Sequence, residues 1–564
     1  MSIMQAGHAA WRAAFVACFL WMPVMPAYAA GPAKAAIASA HPLATAAGME
    51  VLAAGGNAFD AAIAVSAALA VVEPYGSGLG GGGFFLLHDE RTGKDVVLDA
   101  RETAPAQSVP EMFQNNKGEV VADWATNGPL AAAIPGTPAA LVHLASRYGV
   151  LPLSASLKPA IRLAREGFPA DERYRQMARL RLEVLRRFAE TSRTLLFKGD
   201  VPTLGTLIRQ PELAGTLEML AEKGHGGFYS GEFAQRLVDA ISEAGGIWTT
   251  ADLSNYAVIE RAPLTVHYRG ARITTVPPPS AGGIALISML NMLDASGYAA
   301  ASGTVRDHLV VEAMRRAFRD RELFLGDPDF VQVPVTELVS VEHAKKLAGS
   351  INRIRATPSA DLGAAVAPSN QGANTSHLSI LDRAGNRVAA TLSINLPFGS
   401  GFTVPGTGML LNNEMDDFAS APGTPNAYGL PGSTANAIAP GKRPLSSMTP
   451  TFLEYNDRVA ILGSPGGSRI PGMVLVSLLA LLDAKDPVEV LAAPRFHHQY
   501  LPDIVEAEPE YFGSNAAREL RARGHTVRST GRNYGNAQVV LWEKTSGRVS
   551  ATSDPRGVGL GMTQ

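Results

Sequence analysis

P368-S-N-Q-G-A-N-T-S-H-L-S-I-L-D382 changes character at one residue: a polar stretch without a period gives way at Thr375 to alternating strand sequence. Upstream, from about Ser350 to Asn374, Ala, Pro, Ser, Asn and Gly dominate, the composition of an exposed linker. Downstream, L378-S-I-L-D382, the turn D382-R-A-G-N386 and R387-V-A-A-T-L-S-I394 read as a β-hairpin whose first strand holds Thr375 at its edge. A threonine that starts a strand is ordinarily structural. At the end of a cleavable linker it has a second use, because it can become a new N-terminus.

A threonine hydroxyl is a weak nucleophile unless a base lies within hydrogen-bond reach, and an N-terminal threonine carries that base as its own α-amine. With an α-amino pKa near ~8, the amine can accept the hydroxyl proton at physiological pH.

Composition sets the surroundings for that chemistry. The 564 residues are 46% hydrophobic and 18% charged, ordinary for a globular chain and far too apolar for a disordered one. M1-S-I-M-Q-A-G-H-A-A-W-R12, the apolar run Ala13 to Val24 and A27-Y-A29 have the order of an export signal, with cleavage expected after Ala29. The expected location is therefore outside the cytoplasm, periplasmic or extracellular. The one cysteine, Cys18, lies inside the signal, in a poor lipobox because the apolar run continues through Phe19, Leu20 and Trp21. The mature chain then has no disulfide and no thiol nucleophile, so covalent catalysis falls to Ser, Thr, Lys or a carboxylate.

The 49 Lys and Arg against 51 Asp and Glu give −2, and loss of the signal with Arg12 leaves 48 against 51, or −3. That balance argues against nucleic acid or a membrane surface as partner. R173-Y-R-Q-M-A-R-L-R-L-E-V-L-R-R187 is basic, but Met177, Leu180, Val184, Leu185 and Phe188 fit the apolar face of an amphipathic helix with a solvated basic side. The runs A61 to V72 and M473 to L482 fall short of the ~18–20 residues of a membrane span and read as buried helices.

Helical periodicity also marks residues 45–54, 59–72 and 309–324, and strands are expected at 84–88, 96–99, 272–276, 451–455 and 458–463. The break at 350–374 is the best candidate boundary, although strands on both sides can share one sandwich. Three motifs fail on context. G76-S-G-L-G-G81 follows an Ala-rich helix and precedes a strand, the reverse of a dinucleotide-binding turn. His497 and His498 are adjacent, with no second ligand pair at metal-site spacing. G463-S-P-G-G467 lacks the spacing of a serine-hydrolase elbow. No metal and no cofactor is expected.

Polar segments downstream of Thr375 each stand where a buried strand meets solvent. S393-I-N395 ends the second hairpin strand, L410-L-N-N-E-M-D-D-F418 runs into a cluster of acids, and K442-R-P-L-S-S-M-T-P450 places Ser446 and Ser447 before a strand. In G463-S-P-G-G-S-R469 consecutive glycines free the backbone to aim N–H groups at a developing oxyanion. Far upstream, Arg101 follows a strand and suits bidentate pairing with a carboxylate.

Together with G55-G-N-A-F-D-A-A-I-A-V-S66, G80-G-G-G-F-F85, D99-A-R-E-T-A-P105, P277-P-P-S-A-G-G-I284, L325-G-D-P-D-F330 and A493-P-R-F-H-H498, these segments resemble the gamma-glutamyltransferase family of N-terminal nucleophile hydrolases, over essentially all of the chain after the signal. The resemblance implies an α/β fold, a four-layer αββα sandwich formed jointly by two subunits of one precursor, residues 30–374 and 375–564. It implies self-cleavage between Asn374 and Thr375, with Thr375 as nucleophile and, through its freed amine, base. Arg101 matches the residue that pairs with the substrate α-carboxylate, helped by the hydroxyls of Ser446 and Ser447. Glu414 and Asp417, with Asn395 alongside, match the groups that bind the α-ammonium. Gly466 and Gly467 match the oxyanion donors, and Ser393 stands where a threonine hydroxyl usually contacts the nucleophile. Ser376 likewise replaces the threonine that often follows it. A419-S-A-P-G-T-P-N-A-Y-G-L430 resembles a lid loop with Tyr428 as its tyrosine, the alternative being a plain connector.

The implied reaction is ping-pong acyl transfer from glutathione or other γ-glutamyl compounds to water, an amino acid or a dipeptide, with non-covalent association of the subunits. Same-fold alternatives are a cephalosporin or glutaryl-type acylase and a poly-γ-glutamate hydrolase. A different class, an inactive exported binding protein, predicts an uncleaved chain.

Overall fold

The computed structural model describes residues 31–301, 303–363, 375–421, 426–427, 429–430 and 432–564. The expected signal 1–29, Asn374 and Tyr428 lie outside the described residues.

Thirteen strands build the core: β1 Ala36–Ser39, β2 Gly82–Asp89, β3 Lys94–Ala100, β4 Ile259–Arg261, β5 Leu264–Tyr268, β6 Ala271–Thr275, β7 Ser376–Leu381, β8 Arg387–Ser393, β9 Thr451–Tyr455, β10 Arg458–Gly463, β11 Gln538–Glu543, β12 Val549–Ser553 and β13 Leu560–Thr563. They form a seven-stranded sheet, β13-β1-β7-β8-β2-β3-β4, and a six-stranded sheet, β12-β11-β10-β9-β6-β5. Both sheets combine strands from before and after residue 374, so the linker interrupts one sandwich and divides no domains. The hairpin β7–β8 forms as read, pairing Leu381 with Arg387 and Ser376 with Leu392. Asp382 closes its turn, its Oδ1 accepting from the N–H groups of Ala384 (2.9 Å) and Asn386 (3.0 Å). The strand after Thr375 is interior to the sheet, between β1 and β8, so Thr375 sits at the end of a fully paired strand.

Alternation along the strands sorts the layers. Leu381, Ala389, Phe84 and Leu86 face Phe452, Ile461, Val540 and Trp542 of the other sheet. The opposite faces carry Leu378, Ile380, Val388 and Leu392, which pack under α1 Pro42–Ala53 and α2 Ala58–Val72. The six-stranded sheet buries its outer face under α4 Ala281–Ala295, α5 Thr304–Phe324 and α6 Ile470–Leu482, with α3 Glu172–Arg187 covering part of the other half. The result is the expected αββα order.

Helix α2 is buried along its whole length, as its unbroken apolar run implied. It starts in a capping box between Asn57 and Asp60 and stops at Glu73, before Pro74. Helix α3 buries Tyr174, Met177 and Leu185, but Leu180 is exposed, because the apolar stripe is narrower than the sequence spacing suggests. Among the described residues no helix is long and apolar enough to cross a membrane.

Candidate active site

The first sheet's inner face brings Thr375 to the mouth of the gap between the sheets. Continuing the β7–β8 register by one residue sets Thr375 opposite Ser393. Thr375, His377 and Ser379 share a face, and His377 Nδ1 lies 2.8 Å from Thr391 Oγ1 in a setting that pushes its pKa down to about 3 by burial. His377 is therefore neutral and structural. Thr375 itself is 5% exposed.

Thr375 lines a small polar cavity with Arg101, Ser393, Asn395, Glu414, Asp417, Ser446, Ser447 and Gly467. Nine of the residues named from sequence thus meet around one space. Gly466 lines a second cavity of about 40 Å³ that Thr375 also borders. A roomier hollow of about 590 Å³ near Asn57, Arg91 and Arg147 contains none of the candidate catalytic or substrate-binding residues. Volume alone does not find the chemistry.

Each wall has a local cause. The acidic turn Glu414–Asp417 is hung from Asn412, whose Nδ2 donates to the carbonyls of Gly80 and Ala133 (2.7 Å each) while its Oδ1 accepts from Ala133 and Glu414 N–H. Gly80 and Gly81 make this approach possible: a Cβ would fall 2.1 Å from the Leu410 carbonyl oxygen at one and 2.0 Å from that of Ser393 at the other. The G76 to G81 run, rejected as a nucleotide turn, is thus the backbone contact that seats Ser393 and the acids. Asn395 adopts φ 72°, with its N–H donating to Ser393 Oγ (2.7 Å) and its Nδ2 to the Asn413 carbonyl (2.9 Å). Ser446 is fixed on both sides of its peptide, donating to Pro279 O (2.9 Å) and accepting from Ala281 N–H (2.8 Å). Gly466 and Gly467 have φ 144° and 57°, a left-handed pair before α6 that favours glycine.

Arg101 is 1% exposed. Its Nε donates to Pro444 O at 3.1 Å, Nη1 meets Glu414 at 2.7 Å, and Nη2 donates to Asp417. Its own backbone is gripped, the N–H by Asp99 (2.9 Å) and the carbonyl by Tyr256 and Arg443. Burial opposes the guanidinium charge, but Glu414, Asp417 and Glu102 hold its pKa above the ordinary value. Burial pushes Glu414 well above the carboxylate range against the pull of Arg101, with Glu102 and Asp417 adding like charge, and Glu102 rises to about 7. Sequence reading gave Arg101 and the acids opposite ends of a ligand, whereas here they contact one another. A zwitterionic amino-acid head group suits such a set, its carboxylate exchanging for the acids on Arg101 and its ammonium for Arg101 on the acids.

Sequence reasoning missed Arg321, which lines the same cavity together with Leu430, Leu445, Met448, Ser468 and Ile470. Arg321 stands in the last turn of α5, where it reads as an exposed helix charge, yet it is 7% exposed and burial lowers its pKa to about 10. Its closeness to L325-G-D-P-D-F330 was the available signal. From the lid segment, Asn426 and Ala427 reach back to Asp417 and Asp416 (3.4 and 3.1 Å). The His497 and His498 rings contact Gln499 and Asp503 respectively. Among the described residues His308, Glu312 and His525 are close enough to share an ion, but the two rings bond each other at 2.8 Å and Glu312 is held by Arg316 at 2.6 Å.

The sequence model of the family described as gamma-glutamyltranspeptidase matches residues 44–563. The chain belongs to the gamma-glutamyltranspeptidase family. It is 38% identical over 529 residues to the glutathione hydrolase proenzyme of Escherichia coli K12, covering 93% of this chain and 90% of that one. The glutathione hydrolase proenzyme of Pseudomonas sp. A14 is 39% identical over 502 residues, 88% of this chain and 86% of that one. Among solved structures, the cephalosporin acylase from Bacillus halodurans superposes with a TM-score of 0.81 at 29% identity, covering 96% of this chain and 99% of that chain. A chain of Helicobacter pylori gamma-glutamyltranspeptidase gives 0.56 at 38% identity, covering 57% and 93% respectively. The chain is thus a member of an enzyme family of the N-terminal nucleophile type.

Proposed function

We propose that this protein is a glutathione hydrolase and γ-glutamyltransferase made as an exported precursor, cleaved after Ala29 and again between Asn374 and Thr375. In the precursor the Thr375 hydroxyl attacks the Asn374 carbonyl, and water resolves the ester to free the α-amine. In the mature enzyme that amine takes the hydroxyl proton as Oγ1 attacks the γ-amide of the donor, and returns it to the departing amine. Water, an amino acid or a dipeptide then accepts the acyl group from Thr375. Arg101, Ser446 and Ser447 receive the donor's α-carboxylate, Glu414, Asp417 and Asn395 its α-ammonium. Gly466 and Gly467 donate N–H groups to the oxyanion, and Ser393 contacts Thr375.

The observation that carries this reading is the ion-paired set of buried Arg101 and Glu414 with part-buried Asp417 around the cavity that Thr375 lines. Likeness to a cephalosporin acylase raises a glutaryl donor as the second reading, but a glutaryl chain lacks the α-amine that buried Glu414 and part-buried Asp417 would serve. The test is a denaturing gel of the purified protein followed by release of aniline from a γ-glutamyl anilide, with and without glycylglycine. Two fragments and anilide release stimulated by the dipeptide are expected. An intact, inactive chain would return the protein to the binding-protein reading.

A further inference from the structure

Ser376 follows the nucleophile and points to the opposite face of β7, and there its Oγ donates at 2.5 Å to Glu73 Oε2. Glu73 is 4% exposed and clamped at both backbone ends, its N–H donating to Leu69 O at the end of α2 and its carbonyl accepting from Gly76 (2.8 Å) and Ser77 (3.3 Å). The turn is shaped for this pair: a Cβ on Gly76 would lie 2.8 Å from Ser376 Oγ and 3.2 Å from the Glu73 carboxyl. Glu73 and Thr375 also line one 40 Å³ cavity, with Arg173, Gly466, Asn536 and Arg556 as further walls. Arg101, Glu414 and Asp417 do not line this space.

A buried carboxyl needs a reason, since a glutamine would accept the same hydrogen bond without the cost of desolvating a charge. The charged and titratable neighbours are Arg173 and Asp171 at the start of α3, Tyr75 in the following turn, and Arg556, which Glu508 and Asp554 already neutralise. Burial pushes the Glu73 carboxyl up to about 7, against the Ser376 hydrogen bond and Arg173. Glu73 therefore changes charge in the range where an α-amine must change its own.

We propose that Glu73 is a positioning residue: it fixes the Thr375–Ser376 end of β7 through the Ser376 hydroxyl and, after cleavage, is the carboxylate that faces the freed Thr375 α-amine and sets the pH at which that amine acts as base. The inference rests on Thr375 being the nucleophile as proposed above. Glu73 consumes no proton. The hydroxyl proton goes to the amine and then to the leaving amine, while the Glu73 carboxylate stabilises the ammonium between the two transfers.

The test uses full-length Glu73→Gln, Glu73→Ala and Ser376→Ala, with cleavage followed on gels and kcat/KM for a γ-glutamyl anilide measured from about pH 5 to 10. Glu73→Gln keeps the acceptor and loses the charge, so it should cleave normally while the acid limb of its profile moves down by about 0.5–1 pH unit. Ser376→Ala keeps the charge and loses the bond, so cleavage should slow by about tenfold or more with the limb unmoved, and Glu73→Ala should show the slow cleavage that Glu73→Gln rescues. An unmoved limb in Glu73→Gln overturns the proposal, as does a folded but uncleaved Glu73→Gln or wild-type cleavage in Ser376→Ala. Absence of anilide release by the wild type would instead remove the nucleophile reading beneath it.

Discussion

Replacing Arg101 tests the donor site at its most connected residue. Its guanidinium makes four contacts, to Pro444 O, Glu102, Glu414 and Asp417, at 1% exposure. Truncation to alanine removes the cation and leaves Glu102, Glu414 and Asp417 packed together, so donor affinity should fall by about 2–5 kcal/mol, roughly 30- to 5,000-fold in kcat/KM. Stability should fall as well, by about 3–5 kcal/mol, because an ion pair broken from one side leaves charge buried. Arg101→Lys separates the two effects. Lysine keeps the charge but cannot span both acids, and loss of one charge-assisted bond costs about 1.5–3 kcal/mol, roughly 10- to 150-fold. Initial rates on a γ-glutamyl anilide, with thermal melts alongside, give both numbers, and the loss should sit mainly in KM if the clamp holds substrate and transition state alike. A lysine variant within about threefold of wild type in kcat/KM would refute the assignment of Arg101 to the substrate carboxylate.

Glu414→Gln should lower the preference for a γ-glutamyl over a glutaryl anilide by about tenfold or more, since it removes a carboxyl partner of the α-ammonium and nothing a glutaryl group uses. An unchanged ratio would favour the acylase reading. His377 supplies a pH dependence: burial lowers its folded pKa to about 3, below its unfolded value, so the stability of keeping it neutral is present at high pH and lost as pH falls below ~6.5. By pH ~5 this amounts to about 2 kcal/mol, and His377→Gln should flatten the fall of melting temperature between pH ~7 and ~5. An unaltered slope would show that other groups carry the acid sensitivity.

The fold was legible where local pattern and burial agree. The unbroken apolar run of α2 and the turn D382-R-A-G-N386 formed as read because one is buried on every side and the other is closed by its own aspartate. The candidate site was legible as a set of segments that meet at two cavities through residue types that buried strands do not otherwise carry at their ends, such as the acids of Glu414–Asp417 and the Gly466-Gly467 pair. Arg321 and Glu73 were not legible, because each closes a helix where a charge is normally solvated and only the tertiary fold buries it. Leu180 failed in the other sense, its helical spacing right and its packing partner missing. The direct contact between Arg101 and the acids was hidden too, for it joins segments 316 residues apart.

The central claim is that Thr375 becomes an N-terminus and carries the acyl group. Acid quenching during turnover of a γ-glutamyl donor, followed by mass analysis of the smaller fragment, tests both parts at once. The expected fragment is 375–564 with one γ-glutamyl group esterified to Thr375. A fragment that begins at another residue, or an acyl group found on a different side chain, would contradict it.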